Sequence, residues 1–424
     1  MDYGVPLSQF SIFATEAMRR AANAQDMLQA IRAAAPGLTV HILEPQVETL
    51  FGSMGARSSF FGVKGLFLDL GGGSMQLSYV NTNHADYECN AAQTGHSMPF
   101  GAARLIGALN HDDRRVKTSA LSDVDREMRE KVASLCGRFE DLAEELQQGV
   151  DVFLCGGGFR GYGSILMHSD PISPYPIPLI GHYRVSGDHF RDTKRMRKIN
   201  IDTKTKILGM SKRRRTQFEA VATVVDALVQ AVPKIRTVTF CAGGNREGAL
   251  MMKLPPAVRE EDPLALLAAS PSPSPGGPPT PPSAPALQAV VDILQASLPP
   301  TPAPVLPGLL PVLARRAWEG LGRDADTNAS AALTDAAARD ADHPGLTHQL
   351  RAALALALWA RWGAAVAPAN KQLRENLDRV AGGGTAGGKD AFFAEYLGAV
   401  AAAMVMVMPT FPKGPKQVQR RFQR

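Results

Sequence analysis

Three stretches of this chain run from apolar residues straight into glycine. Leu66–Asp69 leads into Gly71-Gly72-Gly73-Ser74, Val150–Leu154 into Cys155-Gly156-Gly157-Gly158, and Thr237–Cys241 into Ala242-Gly243-Gly244. Successive glycines leave backbone N–H groups uncovered by side chains, and a row of such groups cradles an anion, most often phosphate. Hard divalent cations prefer carboxylate and phosphate oxygens together, so Asp69, at the end of the first run, is placed to hold Mg²⁺. For any single turn the alternative is a Gly-rich hairpin followed by a buried strand. Three such transitions in one chain are hard to assign to chance, and each opens a helix or hairpin where partial positive charge favours phosphate.

Positioning three turns requires a sizeable scaffold. The chain has 424 residues, 45% of them hydrophobic, enough for two or three domains of a soluble globular protein. The four cysteines, Cys89, Cys136, Cys155 and Cys241, are far apart and lack paired ligand spacing, which argues against zinc and against a disulfide framework. A reducing, cytoplasmic setting is expected. The start, MDYGVPLSQF, has neither a basic nor an apolar signal region. The longest late apolar run, Leu397 to Met408, is shorter than the roughly 20 residues of a spanning helix. No membrane association is expected. The net charge of +6 and pI near 9.2 are modest for this length.

In chain order, Gln9 to Ala14 reads as a strand delivering Thr15, an N-cap residue, to an alanine-rich helix that runs to about Ala34 and carries Arg19 and Arg20. A second strand, Leu38 to Leu43, precedes a helix carrying Glu48, and then comes the Asp69 hairpin. Asp86 to Ser97 reads as a further strand, followed after Pro99 and Gly101 by a short helix with Arg104. A long amphipathic helix, Asp123 to Gln148, leads to the second glycine turn. A helix from about Thr216 to Val232 leads to the third, which opens a helix over Asn245 to Met252. Alternating strands and helices predict an α/β fold whose right-handed crossovers gather the strands into one sheet.

Five local words, in order, carry a resemblance: ATEAMRRAAN (Ala14 to Asn23), DLGGGSMQL (Asp69 to Leu77), SMPFGAARL (Ser97 to Leu105), LCGGGFRG (Leu154 to Gly161) and GGNREGAL (Gly243 to Leu250). From about Gln9 to Met252 the chain resembles the Ppx/GppA family of exopolyphosphatases and guanosine pentaphosphate phosphohydrolases, within the actin-like (ribonuclease H-like) superfamily, and it is most similar to the fungal retrograde regulation branch. The resemblance implies that Glu48 is the base activating the attacking water and that Asp69 is associated with Mg²⁺. Arg19, Gly71, Gly72, Gly73, Ser74, Gly157, Gly158, Gly244 and Arg246 would bind phosphate. Read without the resemblance, a lone helical Glu48 is a solvent-exposed side chain. A base, a metal-binding carboxylate and donors for a polyanion form the set that phosphoanhydride hydrolysis requires.

Two departures bear on activity. Where catalytic members continue the glycine turn with Ser-Thr-Glu, this chain has Ser74-Met75-Gln76, so a metal-associated carboxylate is a neutral amide and Mg²⁺ binding should weaken. The family's first phosphate loop, of Asp-Gly-Ser-Asn type, has no counterpart, so the first actin-like domain is expected to be N-terminally truncated.

Beyond Met252 the composition shifts. Residues 254–285, with SPSPSPGGPPTPPSAP, predict an extended linker, and the Ala/Leu-rich 286–408 predict an all-α module broken by a loop over Gly382 to Gly388. Bacterial relatives carry a helical phosphohydrolase-like domain here, but Trp359, Ala360 and Arg361 stand where its His-Asp pair would be needed. His343 and His348 lack a paired carboxylate and read as structural or docking residues. Two basic clusters remain, a tract from Lys194 to Arg215 and a tail over 409–424 with Lys413, Lys416, Arg420, Arg421 and Arg424. These are either solvated surface and a frayed end or a rim that draws a polyanion to the cleft. Nucleic acid is not expected as a partner, since no recognised motif or aromatic interleaving accompanies the charge.

The resulting expectation is a partial first actin-like domain (1–105), a second (106–253), the linker, the helical module and the basic tail. Two functions compete. One is a regulator that binds polyphosphate or a phosphorylated nucleotide or metabolite, signals to protein partners between mitochondria and nucleus, and can form a homodimer. The other is a Mg²⁺-dependent exopolyphosphatase or guanosine polyphosphate phosphohydrolase using Glu48.

Overall fold

The computed structural model describes residues 4–6, 9–270, 282–299, 308–320, 324–338, 345–363, 366–384 and 387–422. Two compact units divide them. One holds residues up to Ser58, Gly62–Leu166 and Arg184–Pro255; the other holds Ser59–Phe61, Met167–Tyr183 and the chain from Pro256.

The first unit opens with β1 (Ile12–Ala14), α1 (Glu16–Arg20), α2 (Ala24–Ala34) and β2 (Val40–Ile42). β1 and β2 pair in parallel as a two-stranded sheet. The single helix expected from Thr15 to Ala34 is two helices, because the chain leaves helical geometry at Ala21 (ψ 126°) and restarts after Asn23. Next come α3 (Pro45–Arg57), β3 (Lys64–Leu70) and β4 (Met75–Asn81), the last two being the antiparallel hairpin around the Gly71 turn.

The strand expected over Asp86 to Ser97 is mostly α4 (Tyr87–Thr94), with β5 confined to His96–Met98. Tyr87 and Ala91, four apart and both buried, give that segment a helical rather than an alternating apolar face. After α5 (Ala102–Leu109), the long helix expected to Gln148 is α6 (Arg114–Cys136) and α7 (Glu140–Gln148), separated at the Gly137 C-cap.

β6 (Val150–Cys155), α8 (Gly156–His168), β7 (Tyr183–Ser186), α9 (Gly187–Phe190), α10 (Thr193–Asp202), α11 (Lys212–Thr216), α12 (Phe218–Ala231), β8 (Ile235–Phe240) and α13 (Asn245–Met251) complete the unit. Six strands form one sheet in the order β5-β4-β3-β6-β8-β7, drawing strands from both of the stretches expected as separate actin-like domains. β3, β6 and β8 are parallel neighbours, buried almost throughout, as expected of strands covered on both faces. Their carboxyl ends therefore lie side by side, which is where α/β sheets place ligands.

The second unit is helical: α14 (Pro256–Arg259), α15 (Pro263–Ala269), α16 (Ala284–Ala296), α17 (Leu309–Arg316), α18 (Ala325–Ala338), α19 (His348–Arg361), α20 (Lys371–Ala381), α21 (Lys389–Val407) and α22 (Pro415–Phe422). The expected linker is thus helical in its first part. Asp262 caps α15 by accepting from Leu264 N at 2.9 Å, and Pro263 sits at the helix start where no N–H is needed. Residues 271–281 lie outside the described residues. Within the basic tail, Pro415–Phe422 is a helix rather than a frayed end, with Val418 buried against the unit's apolar core. α21, with 19 residues, is long and apolar enough to cross a membrane; Leu397, Ala401 and Met404 on one side of it are buried in that same core.

Candidate functional site

The pairing registers explain why the turns meet. Asp69 on β3 stands opposite Cys155 on β6, and Cys241 N, just past β8, donates to Leu154 O at 2.8 Å. Glycine is required at several of the contacts this creates. A Cβ at Gly156, whose φ is +86°, would lie 2.2 Å from Asp69 Oδ1, and one at Gly55 of α3 would lie 1.8 Å from Gly244 O. The third turn is therefore pressed against α3, and Asp69 is clasped between the first two.

Around that junction the polar groups fall into a chain. Glu48 is buried, 4% exposed, contrary to the exposed reading of a lone helical glutamate. Its Oε2 is 2.7 Å from Arg19 Nη2, and Arg19 also pairs with Glu16 at 3.1 Å and donates to Leu43 O. Ser74 Oγ lies 3.4 Å from Glu48 Oε1. Gln76, in the place of the family's glutamate, donates from Nε2 to Ser74 Oγ at 2.8 Å and Ser97 Oγ at 3.2 Å. Its amide is thus committed to organising two hydroxyls.

Asp69 is also buried. Burial, and then the charge of Glu48, push its carboxyl up to about 6, against the opposing influence of the Arg160 cation and the Cys155 thiol. Asn245 Nδ2 approaches Asp69 Oδ2 at 3.4 Å, while Asn245 Oδ1 is buried without a hydrogen-bond partner. Carboxylate oxygens and an orphaned amide oxygen are a hard-cation donor set, so the residues fit Mg²⁺ in chemistry. Among the described residues no group of three or more His, Cys, Asp or Glu side chains gathers around a common point, so the set is sparse.

The expected phosphate-binding residues divide. Gly71, Gly72, Gly73 and Ser74 form the hairpin turn, whose carbonyls accept from the first N–H groups of α5: Gly71 O from Ala102 N at 2.9 Å and Gly72 O from Ala103 N at 3.0 Å. Gly157, in the first turn of α8, faces open space, whereas Gly158 packs against Leu70. Gly244 N is already bonded to Glu247 Oε2 at 2.8 Å, and Arg246 is exposed on α13.

Three arginines add to the set. Arg160, on α8, donates to Ala242 O in the third turn. Arg213 Nη2 lies 3.9 Å from where a Gly72 Cβ would be, and the Arg214 stem borders Gly161. Burial and the Arg160 charge hold Arg214 below its ordinary value. Elsewhere in the basic tract Arg197 is paired with Glu219 and Asp226, and Arg215 binds the carbonyls of Asn200, Thr203 and Thr205. Position in the tract gave no means of separating these roles. Asn245 and Arg160 sat inside the GGNREGAL and GGGFRG words, which was the available signal for them.

Residues 3–257 match the Ppx/GppA phosphatase family, and residues 279–423 match the RTG2 C-terminal domain. The chain belongs to the Ppx/GppA phosphatase family. It is 31% identical over 390 residues to Retrograde regulation protein 2 of Saccharomyces cerevisiae, covering 89% of this chain and 63% of that protein. The chain therefore spans less than two-thirds of that relative's length. Exopolyphosphatase 1 of Mycobacterium leprae is 28% identical over 253 residues, covering 58% of this chain and 68% of that one. An exopolyphosphatase-like protein of known structure covers 56% of this chain and 73% of its own at a TM-score of 0.43 and 17% identity. The fold class is that of the family's actin-like α/β domains, followed by a helical C-terminal region.

In the helical unit, His348 is a structural residue. It is buried, its Nδ1 lies 3.0 Å from Tyr175 Oη and its Nε2 3.0 Å from Gly181 O, and burial, followed by the nearby His182, pushes it down to about 3. Its ring is neutral. His343 lies outside the described residues.

Proposed function

We propose that this chain is a regulatory member of the Ppx/GppA family that binds a phosphorylated metabolite or nucleotide across its glycine turns and relays that state to protein partners. The observation that carries the reading is the Gln76 amide, which donates to Ser74 and Ser97 where a hydrolase of this family would supply a metal-associated carboxylate. The likeness to a yeast protein named for retrograde regulation supports a regulatory role; signalling between mitochondria and nucleus, from a cytoplasmic position, is part of the proposal. Polyphosphate and guanosine polyphosphates belong to the ligand class, and self-association into a homodimer is part of the proposal.

In this reading Arg19 orients Glu48, Arg160 and Arg213 meet phosphate oxygens, and Asp69 with Asn245 would hold Mg²⁺. When bound, the metal neutralises charge on phosphate oxygens. Glu48 favours a second reading, a hydrolase in which its carboxylate takes the proton from an attacking water, because it is retained, buried and positioned by Arg19 beside Ser74.

Thermal unfolding with Mg²⁺ and, separately, polyphosphate, ATP and guanosine polyphosphates, followed by a phosphate-release assay, separates the two. Ligand at about 100 times its Kd adds roughly 2.7 kcal/mol of stability. Stabilisation without release is the outcome expected of the regulator. Release that is lost in Glu48→Gln while binding persists would establish the hydrolase, and no stabilisation by any ligand would sink both.

A further inference from the structure

Gln76 does more than leave a metal site short of a carboxylate. Beside Ser74, within the same unit, lies a cavity of about 260 Å³ lined by Glu16, Arg20, Ser74, His96, Ser97 and Lys131, among others. Both hydroxyls that Gln76 holds, Ser74 and Ser97, are in its wall. A serine that accepts from an amide N–H keeps its own O–H to donate, and Ser97 is bonded in that way at 3.2 Å. The wall therefore presents a hydroxyl held by Gln76 in the same cavity as two cations, Arg20 and Lys131.

The lone carboxylate of the lining, Glu16, is offset by three guanidinium groups: Arg20 at 2.8 Å, Arg19 at 3.1 Å and Arg104 at 4.0 Å. Glu48 is matched by Arg19 as well. Counting Glu16 and Glu48 against Arg19, Arg20, Arg104 and Lys131, the neighbourhood carries a net charge of +2. Among the described residues Lys131 has no carboxylate within ion-pairing distance, and His96 Nε2 is buried without a hydrogen-bond partner. A polar cavity with surplus positive charge and two hydroxyls in its wall is matched by an oxyanion. Ligand cavities commonly span roughly 300–1,000 Å³, and this one, just below that range, has room for a small phosphorylated group.

We propose that this cavity is a second anion site, adjoining the first glycine turn through Ser74, that takes one phosphoryl group, free or as the monoester of a small metabolite. Lys131 and Arg20 supply the charge, and Ser97, held by Gln76, supplies a directed hydrogen bond. Because Ser74 and Gln76 are shared with the Glu48 side of the hairpin, occupancy here is positioned to be felt at the first glycine turn.

The test uses the full chain with ¹⁵N-labelled histidine, titrated with inorganic phosphate and, separately, glycerol 3-phosphate, while the His96 ring resonance is followed. Saturable movement of that resonance is expected, tighter with whichever probe is the natural source. Lys131→Ala should weaken binding about tenfold or more, the loss of one charge-assisted hydrogen bond, Lys131→Arg should restore most of it, and Ser97→Ala should weaken it independently. Arg213→Ala, on the glycine-turn side, should leave this response unchanged. A His96 resonance that moves with neither probe, or equal affinity in Lys131→Ala and the parent, overturns the proposal. Phosphate binding that is lost in Arg213→Ala while His96 stays still would overturn it too, and would leave the glycine-turn reading standing.

Discussion

At the scale of single residues, the burial of Asp69 makes a measurable prediction. Its carboxyl rises from an ordinary value of 3.8 to about 6, so the folded protein retains a proton that the unfolded chain releases. An acid raised in the folded state favours folding below the unfolded pKa, and that contribution is lost as pH rises through the folded one. Metal-free protein should therefore lose stability between about pH 4 and 6, by up to about 3 kcal/mol at about 1.36 kcal/mol per unit. Asp69→Asn should flatten that decline and raise the urea midpoint at pH 8; an unchanged pH profile would count against a protonated, buried Asp69. Arg213 and Arg214 make a second case. If they meet phosphate at the turns, removing both should weaken polyphosphate binding and make it less salt-dependent, with little change in stability, since neither is in an ion pair among the described residues.

Elements meet here through glycine. α3 and α13 approach so closely that a Cβ at Gly248 would fall 1.8 Å from Phe51 O, and the same distance separates a Gly55 Cβ from Gly244 O. Gly248→Ala should force these helices apart, costing at least about 1–3 kcal/mol in urea denaturation and weakening ligand binding, because the third turn rests on α3. Gly107→Ala, on α5 with open space around it, should cost nothing and, by helix propensity, gain a few tenths of a kcal/mol. Equal behaviour of the two variants would show that close packing is not what Gly248 supplies. Element type was legible wherever an apolar run met a glycine turn, as at β3, β6 and β8. It is not legible at α4, where one polar segment satisfies either period, or at the break between α6 and α7, where Gly137 sits inside a continuous amphipathic pattern.

For the whole molecule, the two compact units are not consecutive in sequence. Residues 167–183 leave the α/β unit and contribute Ile172 and Ile177 to the helical core. Ile177 is fully buried there, so Ile177→Ala should cost about 2–5 kcal/mol and lower the calorimetric transition of the helical unit. An unchanged thermogram would place that segment elsewhere. The excursion had no sequence signal, since composition changes at residue 254 and not at 167.

By itself the sequence determined the family, the three strand-to-glycine transitions and the change to a helical module, because each is written in contiguous residues whose backbone or periodic demands are local. It also named Glu48, Asp69 and Arg19, whose neighbours in the chain form recognisable words. Tertiary structure alone decided that Glu48 is buried against Arg19, that Gln76 reaches Ser97 as well as its near neighbour Ser74, and that Arg213 faces a turn while Arg197 is paired away. These facts depend on sheet register and helix packing, which join residues dozens of positions apart, and no local pattern specifies which charge meets which.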